Sequence, residues 1–159
     1  MKRYLSVILL LIPLCAVMLT ACRKPQPELK ASFESEIIVS GEQEITAHLN
    51  RTPDALTIAV TSPMSIAGLT YTYSGGELTA SLNGHRCITD TDTLPSGAFP
   101  AVLHMVLCDI ERAEYLSSDD SGDTFTLSTP SGDVQVTLAD GLPVRISGDH
   151  MNYTITTAA

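Results

Sequence analysis

The sequence is poor in aromatic and basic residues, and both shortages exclude classes of function. It has no tryptophan, and only 5% of its 159 residues are aromatic. Aromatic rings offer flat apolar faces, on which carbohydrate-binding modules usually stack their sugars, so the composition argues against such a module. Lysine and arginine together number 9 against 18 aspartates and glutamates, which gives a net charge of −9. Phosphate backbones repel so acidic a protein, and nucleic acid is therefore not an expected partner.

Catalytic and metal-binding motifs are also missing from the sequence. It contains no Gly-x-Ser-x-Gly, no His-Glu-x-x-His and no glycine-rich phosphate loop, which are short motifs with recognisable chemistry. Its four histidines are scattered without Cys-x-x-Cys or i,i+4 spacing, whereas zinc needs three or four convergent ligands. The acidic stretch at 117–123 lacks the aspartate spacing of a calcium loop. We therefore expect no enzyme activity, no metal and no cofactor.

The N-terminal segment has the pattern of an export signal that ends in a cysteine. Lys2 and Arg3 precede an uncharged run at 4–19, and Leu19-Thr20-Ala21-Cys22 closes the segment. A basic start, a short apolar run and small residues before a cleavage site are typical of secretory signals. The run of sixteen residues contains Pro13, and it is shorter than the roughly twenty residues that a membrane-spanning helix needs.

The last four residues of that segment resemble the lipobox of bacterial lipoproteins, in which an aliphatic residue and two small ones precede a cysteine. The resemblance implies cleavage after Ala21 and attachment of diacylglycerol, with fatty acids such as palmitate, to Cys22. The protein would then lie on the extracytoplasmic side of a cell membrane, held by its lipid. An ordinary cleaved signal is the alternative, and it would leave Cys22 as a free thiol.

Three parts of the chain follow from this interpretation. Residues 1–21 are the predicted signal peptide, residues 22–30 a polar tether, and residues 31–159 a single domain. Pro25 and Pro27 favour an extended tether, at about 3.1 Å per residue. The length of the remainder suits one domain with one core.

Most of the domain alternates between apolar and polar residues, which is the pattern of half-buried antiparallel strands. The alternation runs through 31–39, 45–49, 56–60, 69–73 and 78–82, and again through 125–127, 134–138, 144–146 and 151–155. Short segments with Gly, Pro, Asn or Asp separate these runs and predict turns. The sequence therefore predicts about nine strands in one antiparallel sheet.

One segment, residues 98–115, has the period of a helix instead. Its large apolar residues fall three and four positions apart, at Phe99, Val102, Leu103, Val106, Leu107 and Ile110. Pro100 suits the first turn of a helix, and Ser96 is placed to cap it. An antiparallel sheet with one apolar face needs a cover, so we expect this helix to pack on that face. The predicted class is α+β, mainly antiparallel β.

This order of elements resembles the half-barrel fold of the lipoprotein-localisation carriers and of related mycobacterial lipoproteins. The residues that carry the resemblance are the opening hairpin at 33–49, the strand entry at 62–71 and the turn at 140–144. The resemblance implies a strongly curved sheet, a half-barrel, with the helix on its concave apolar face. It also implies that the space between sheet and helix admits an acyl chain.

Two cysteines remain in the domain besides Cys22. Cys87 follows the fifth predicted strand, and Cys108 lies on the predicted helix. In an oxidising compartment such an even pair suggests a disulfide, which would stabilise the fold by about 3 kcal/mol in the chain-entropy model. Two separate thiols that pack as small hydrophobes are the alternative.

Two functional hypotheses fit an anchored domain without catalytic motifs. In the first, the protein binds a lipid or other hydrophobic ligand in a groove between sheet and helix. The candidate groove residues are Leu69, Tyr71, Leu103, Val106 and Leu107, for each of which an ordinary core position is the alternative. In the second, the core is filled and the protein is a structural or protein-interaction lipoprotein, with a partner that the sequence does not identify. An apolar cavity on the order of several hundred Å³ beneath the helix favours the first hypothesis, and a filled core favours the second.

Overall fold

The computed structural model describes residues 25–88 and 94–158, apart from the side chains of Cys87 and Ile88. The predicted signal peptide and Cys22 therefore lie outside the described residues. Among the residues that are described, no helix is both long enough and apolar enough to cross a membrane.

Eleven strands and one α-helix make up the described part of the domain. The strands are β1 Phe33–Ser40, β2 Ile45–Arg51, β3 Ala55–Ser62, β4 Leu69–Ser74, β5 Glu77–Leu82, β6 His85–Ile88, β7 Glu114–Asp119, β8 Gly122–Thr129, β9 Gly132–Ala139, β10 Leu142–Gly148 and β11 Thr154–Thr157. Helix α1 spans Phe99–Asp109, and a 3₁₀ turn at Ile110–Arg112 follows it.

All eleven strands form one antiparallel sheet in the order β6-β5-β4-β3-β2-β1-β11-β10-β9-β8-β7. The first and last strands pair in the middle of the sheet, and α1 follows one edge strand, β6, and precedes the other, β7. The prediction of a mainly antiparallel sheet with one helix is confirmed. The strong half-barrel curvature is not found, because the sheet is neither closed nor strongly curled. The apolar face of α1 joins residues from both halves of this open sheet in one core cluster.

The predicted number of about nine strands is wrong, because both edge strands lack clear alternation. β6 has only four residues, and β7 is largely exposed, with acidic residues at its two ends, Glu114 and Asp119. Charged residues and short length are common at sheet edges, where they discourage pairing with other chains. The sequence pattern assigns β7 partly to the helix at 98–115 and partly to the acidic stretch at 117–123.

Helix α1 is shorter than predicted at its C-terminal end. Ala113 is extended, with φ −71° and ψ 144°, and its N–H donates to the carbonyl of Ile110. The extended chain brings Tyr115 against the Phe125 ring, with the ring centroids 5.9 Å apart. A continued helix would instead have turned Ala113 and Glu114 toward the sheet, following the helical repeat after Ile110.

The start of α1 agrees with the prediction in one respect and differs in another. Pro100 lies in the first turn, as predicted. Ser96 does not cap the helix, because the N-cap residue is Ala98, which has no side-chain hydrogen bond to offer. The Ser96 hydroxyl instead accepts a hydrogen bond from Ser131 at 2.8 Å.

The core lies between α1 and the inner face of the sheet. The helix contributes Val102, Leu103, Val106 and Leu107, which are each at most 2% exposed. The sheet residues that are at most 1% exposed include Ile37, Leu49, Ile58, Leu78, Phe125, Val136 and Ile146. All belong to one continuous cluster, and burial of each such side chain contributes about 1.5–3 kcal/mol. The prediction that the helix covers the apolar face is confirmed.

Gly122, at the start of β8, leaves no room for a side chain. Its φ is +133°, and a Cβ there would overlap the carbonyl oxygen of Leu138 on β9. We expect Gly122→Ala to lower the free energy of unfolding by about 3 kcal/mol, because both the backbone conformation and the close contact oppose a side chain. Urea denaturation measures the loss. Gly97→Ala is the matched control, since its Cβ would meet no atom within 4 Å; equal losses in the two variants would contradict the steric explanation.

Candidate functional site

The predicted groove residues lie in the core and at its margin. Leu103, Val106 and Leu107 are each at most 2% exposed. Leu69 and Tyr71 are partly buried against the same cluster, and the Tyr71 ring meets Phe99 edge-on, with the centroids 6.3 Å apart. The structure thus brings the five residues into one packed region.

The space between α1 and the centre of the sheet is filled beside Leu103. The crevice there is also lined by Ile37, Leu49, Ile146 and Ile155, and its volume for a water-sized molecule is about 0 Å³. Dense packing of this kind is usual for protein interiors. The apolar cavity that would favour a ligand beneath the helix is therefore not present at this contact.

An open apolar groove lies beside the covered part of the sheet. It is lined by residues 33–35, 139, 140, 142–144, 157 and 158, has a volume of about 420 Å³, and is called the Phe33 groove below. Most of its lining side chains are apolar or small, with Glu34 and Asp140 as the charged ones. The N–H of Lys30 donates to the carbonyl of Gly141 at 2.9 Å, so the N-terminal segment joins the domain next to this groove.

A smaller opening lies where the last turn of α1 faces the turns β2–β3 and β4–β5. It is lined by residues 51–56, 73–76, His104, Leu107 and Cys108, has a volume of about 200 Å³, and is called the Tyr73 cleft below. Two hydrogen bonds fix its wall: the Thr52 N–H donates to the Ala55 carbonyl at 2.8 Å, and the Ala55 N–H donates to the Thr52 hydroxyl at 3.1 Å.

Tyr73 lines this cleft and carries an unsatisfied polar group. Its side chain is 6% exposed, and its hydroxyl is buried with no hydrogen-bond partner among the described residues. The ring stacks on the His104 imidazole, with centroids 4.0 Å apart and planes 9° from parallel. Burial, with a smaller effect of Tyr71, raises the pKa of Tyr73 to about 12. The hydroxyl is therefore neutral at physiological pH and able to donate and accept.

His104 is expected to make the stability of the protein sensitive to mild acid. Burial lowers the pKa of His104 below its usual value of 6.5, and the charge of Asp109 opposes this shift. As the pH falls, His104 therefore takes up a proton in the unfolded chain before it does so in the folded protein. Its contribution to the free energy of unfolding is present above about pH 6.5 and is lost as the pH falls toward the folded pKa. We expect His104→Phe, which keeps a stacked ring, to lose less stability than the wild type between about pH 7 and pH 5. Urea denaturation at both pH values tests this, and equal losses would contradict the lowered pKa.

Cys108 lies at the rim of the Tyr73 cleft. It has a free, exposed thiol. Partial burial raises the pKa of this thiol, Arg51 lowers it, and Asp109 raises it. Cys108 is thus not part of a disulfide in this structure, and the side chain of Cys87 lies outside the described residues. The bridge between them stays a prediction, which alkylation without reductant followed by mass measurement tests.

The N-terminal segment is fixed to the domain close to both openings. Arg51 donates from Nη1 to the carbonyl of Lys30 at 3.0 Å, and Leu29 packs against the core cluster. Residues 27–29, Arg51 and the end of α1 surround a third opening of about 370 Å³. The last residues of the predicted tether therefore follow the surface of the domain.

Sequence reasoning missed the Tyr73 cleft, although two signals point to it. Arg51 ends β2 and Tyr73 nearly ends β4, and alternate strands of an antiparallel meander end on the same side. His104 and Cys108 are four residues apart, which places them on one face of α1. Within the described ranges, no three His, Cys, Asp or Glu side chains are grouped to hold a metal ion.

Comparison with known proteins gives a likeness in fold. No protein-family model matches the chain, and no curated protein matches it. Among solved structures, the chain is similar to an uncharacterized conserved protein from Thermus thermophilus. The TM-score is 0.50 at 13% sequence identity, and the match covers 82% of this chain and 77% of that chain. This likeness concerns the fold alone.

Proposed function

We propose that this chain is a non-catalytic lipoprotein of the cell envelope, anchored through Cys22, that acts through its surface. The observation that carries the proposal is the filled contact between α1 and the sheet, where the crevice beside Leu103 has a volume of about 0 Å³. A protein whose interior is occupied by its own side chains binds partners at its surface. Its acidic character fits an anchor too, because anionic headgroups repel an acidic chain, whose net charge is −9 before the proposed cleavage removes Lys2 and Arg3, and a covalent lipid overcomes that repulsion.

Native mass spectrometry of the Cys22→Ser variant tests this proposal. The variant lacks the anchor lipid, so any lipid mass that it carries comes from a bound ligand. We expect the mass of the bare protein, and no uptake of a fluorescent fatty acid. A lipid that stays bound at one copy per protein would overturn the proposal.

A hydrophobic ligand in the Phe33 groove is the second candidate function, and a specific observation favours it. The groove is largely apolar, and its volume of about 420 Å³ falls in the range of about 300–1,000 Å³ that is usual for ligand pockets. The N-terminal segment enters the domain beside it, through the bond between Lys30 and Gly141. An anchored protein would therefore hold this groove close to the membrane, where acyl chains are abundant.

A charge in the groove separates this second candidate from the first. Val144 lines the Phe33 groove and is partly buried, so Val144→Asp would place a carboxylate among apolar groups and oppose an acyl chain. Leu116→Asp is the matched control, because Leu116 is 53% exposed on β7. If the groove binds lipid, fatty-acid uptake falls about tenfold in Val144→Asp and is unchanged in the control. Equal uptake in both variants would exclude the groove.

A further inference from the structure

We infer that the Tyr73 cleft binds a small zwitterion, namely a free α-amino acid with an apolar side chain. Polar groups of this cleft have hydrogen-bonding capacity that the described part of the fold does not use. The inference is independent of the anchor and of the Phe33 groove. It rests on the size of the cleft, on two charges that do not pair, and on the unsatisfied hydroxyl of Tyr73.

The size of the cleft limits the ligand. Its volume of about 200 Å³ is room for about seven water molecules at about 30 Å³ each. A free amino acid of the size of leucine suits such a space, whereas an acyl chain of a membrane lipid or a peptide segment is too long for it. The turn residues Gly75 and Gly76 add no side chains that would narrow the opening, and a Cβ at either would meet no atom within 4 Å.

The charges of the cleft are one positive and one negative. Arg51 and Asp54 both line it, and they form no ion pair with each other in the described part of the chain. Arg51 uses one N–H for the carbonyl of Lys30, and a guanidinium has five such donors. A ligand with a carboxylate and an ammonium group matches both charges, while a ligand with one charge leaves the other group to repel it.

The remaining wall supplies an apolar surface and one polar atom. Leu56 and Leu107 are at most 6% exposed and border the cleft, and the stacked rings of Tyr73 and His104 extend this surface. These groups suit an aliphatic side chain. A carboxylate held near Arg51 offers an acceptor for the Tyr73 hydroxyl, which has no partner among the described residues.

Three compounds that share an isobutyl group test the inference. L-leucine carries both charges, 4-methylpentanoate lacks the ammonium group, and 3-methylbutylamine lacks the carboxylate. Each is titrated into the purified protein while the backbone amide NMR signals of Gly75 and Gly76 are followed. We expect L-leucine to shift these signals and to bind at least about tenfold more tightly than either analogue, because each loses one charge-assisted interaction.

Variants show whether the binding occurs in the cleft. Arg51→Gln and Asp54→Asn should each weaken L-leucine binding about tenfold. Arg86→Gln on β6 and Asp149→Asn after β10 change the same charges at exposed positions outside the cleft, and they should leave binding unchanged. Tyr73→Phe removes only the unsatisfied hydroxyl and should weaken binding about threefold or more in a folded protein.

Three results would overturn the inference. The first is the absence of any shift at Gly75 and Gly76 with L-leucine. The second is an analogue that binds as tightly as L-leucine, which would show that the paired charges are not recognised. The third is L-leucine binding that Arg51→Gln, Asp54→Asn and Tyr73→Phe all leave unchanged, which would place the ligand elsewhere.

Discussion

Leu103→Ala is expected to lower the free energy of unfolding by about 3 kcal/mol. Leu103 is 1% exposed and lies at the contact between α1 and the centre of the sheet. Removing a buried leucine side chain costs about 2–5 kcal/mol, through the lost transfer energy and the cavity that remains. Urea denaturation measures the change, provided that the dependence on urea concentration keeps its slope.

Leu116→Ala is the matched control for this prediction. Leu116 is 53% exposed on the edge strand β7, and exposed substitutions of this kind change stability by at most about 0.5 kcal/mol. A loss below about 1 kcal/mol for Leu103→Ala would mean that the helix packs loosely on the sheet. Such a result would weaken the proposal of a filled core and favour a ligand beneath α1.

The central strands could be predicted from the sequence because each has one buried face. Ile37 and Val39 on β1, like Val134 and Val136 on β9, alternate with exposed or partly exposed residues. That alternation is a local property of the chain, and it needs no knowledge of the neighbouring strands. The apolar face of α1 was predictable for the same reason, because its spacing of three and four residues is local as well.

The strand order and the shape of the sheet depend on contacts between distant segments. β1 pairs with β11, through partners such as Ile37 and Thr157, and no local pattern specifies that pairing. The shape of the sheet likewise depends on how distant strands and α1 pack in one core cluster. The sequence therefore predicted the class of the fold and its cover, but not its eleven strands or its open form.

The Tyr73 cleft could not be derived from one segment, because three distant segments build it. Arg51 comes from the end of β2, Tyr73 from β4 and His104 from α1. The stack of Tyr73 on His104 joins β4 to α1 and therefore depends on the packing of the helix on the sheet. The candidate groove residues lie in the core cluster or against it, because apolarity alone does not distinguish the lining of a groove from an ordinary core position.

Cys22→Ser is expected to remove the diacylglycerol mass and to leave the protein either released from the membrane fraction or uncleaved. The prediction rests on the resemblance of Leu19-Thr20-Ala21-Cys22 to a lipobox. Each buried methylene contributes about 0.8 kcal/mol, so two acyl chains suffice for stable attachment, whereas one chain gives only reversible binding. Loss of both chains therefore leaves a protein that is either released from the membrane or still carries its uncleaved signal peptide. Membrane fractionation and intact-mass measurement on the same cells record both effects, and globomycin treatment of the wild type should block cleavage.

Cys15→Ser is the matched control, because it changes a cysteine of the predicted signal that cleavage removes. We expect this variant to keep the wild-type mass and membrane fraction. An unchanged mass and membrane fraction in Cys22→Ser would contradict the anchor.

The same experiment bears on the openings in the domain. The Lys30 N–H donates to the Gly141 carbonyl, and the Lys30 carbonyl accepts from Arg51. A lipid on Cys22 would therefore hold close to the bilayer the end of the domain that carries the Phe33 groove and the Tyr73 cleft. At about 3.1 Å per tether residue, that end would lie within about 25 Å of the bilayer. Release of the protein without lipidation would leave both openings intact and would remove only their proximity to the bilayer. Ligand binding by the released variant therefore separates the role of the anchor from the role of the domain.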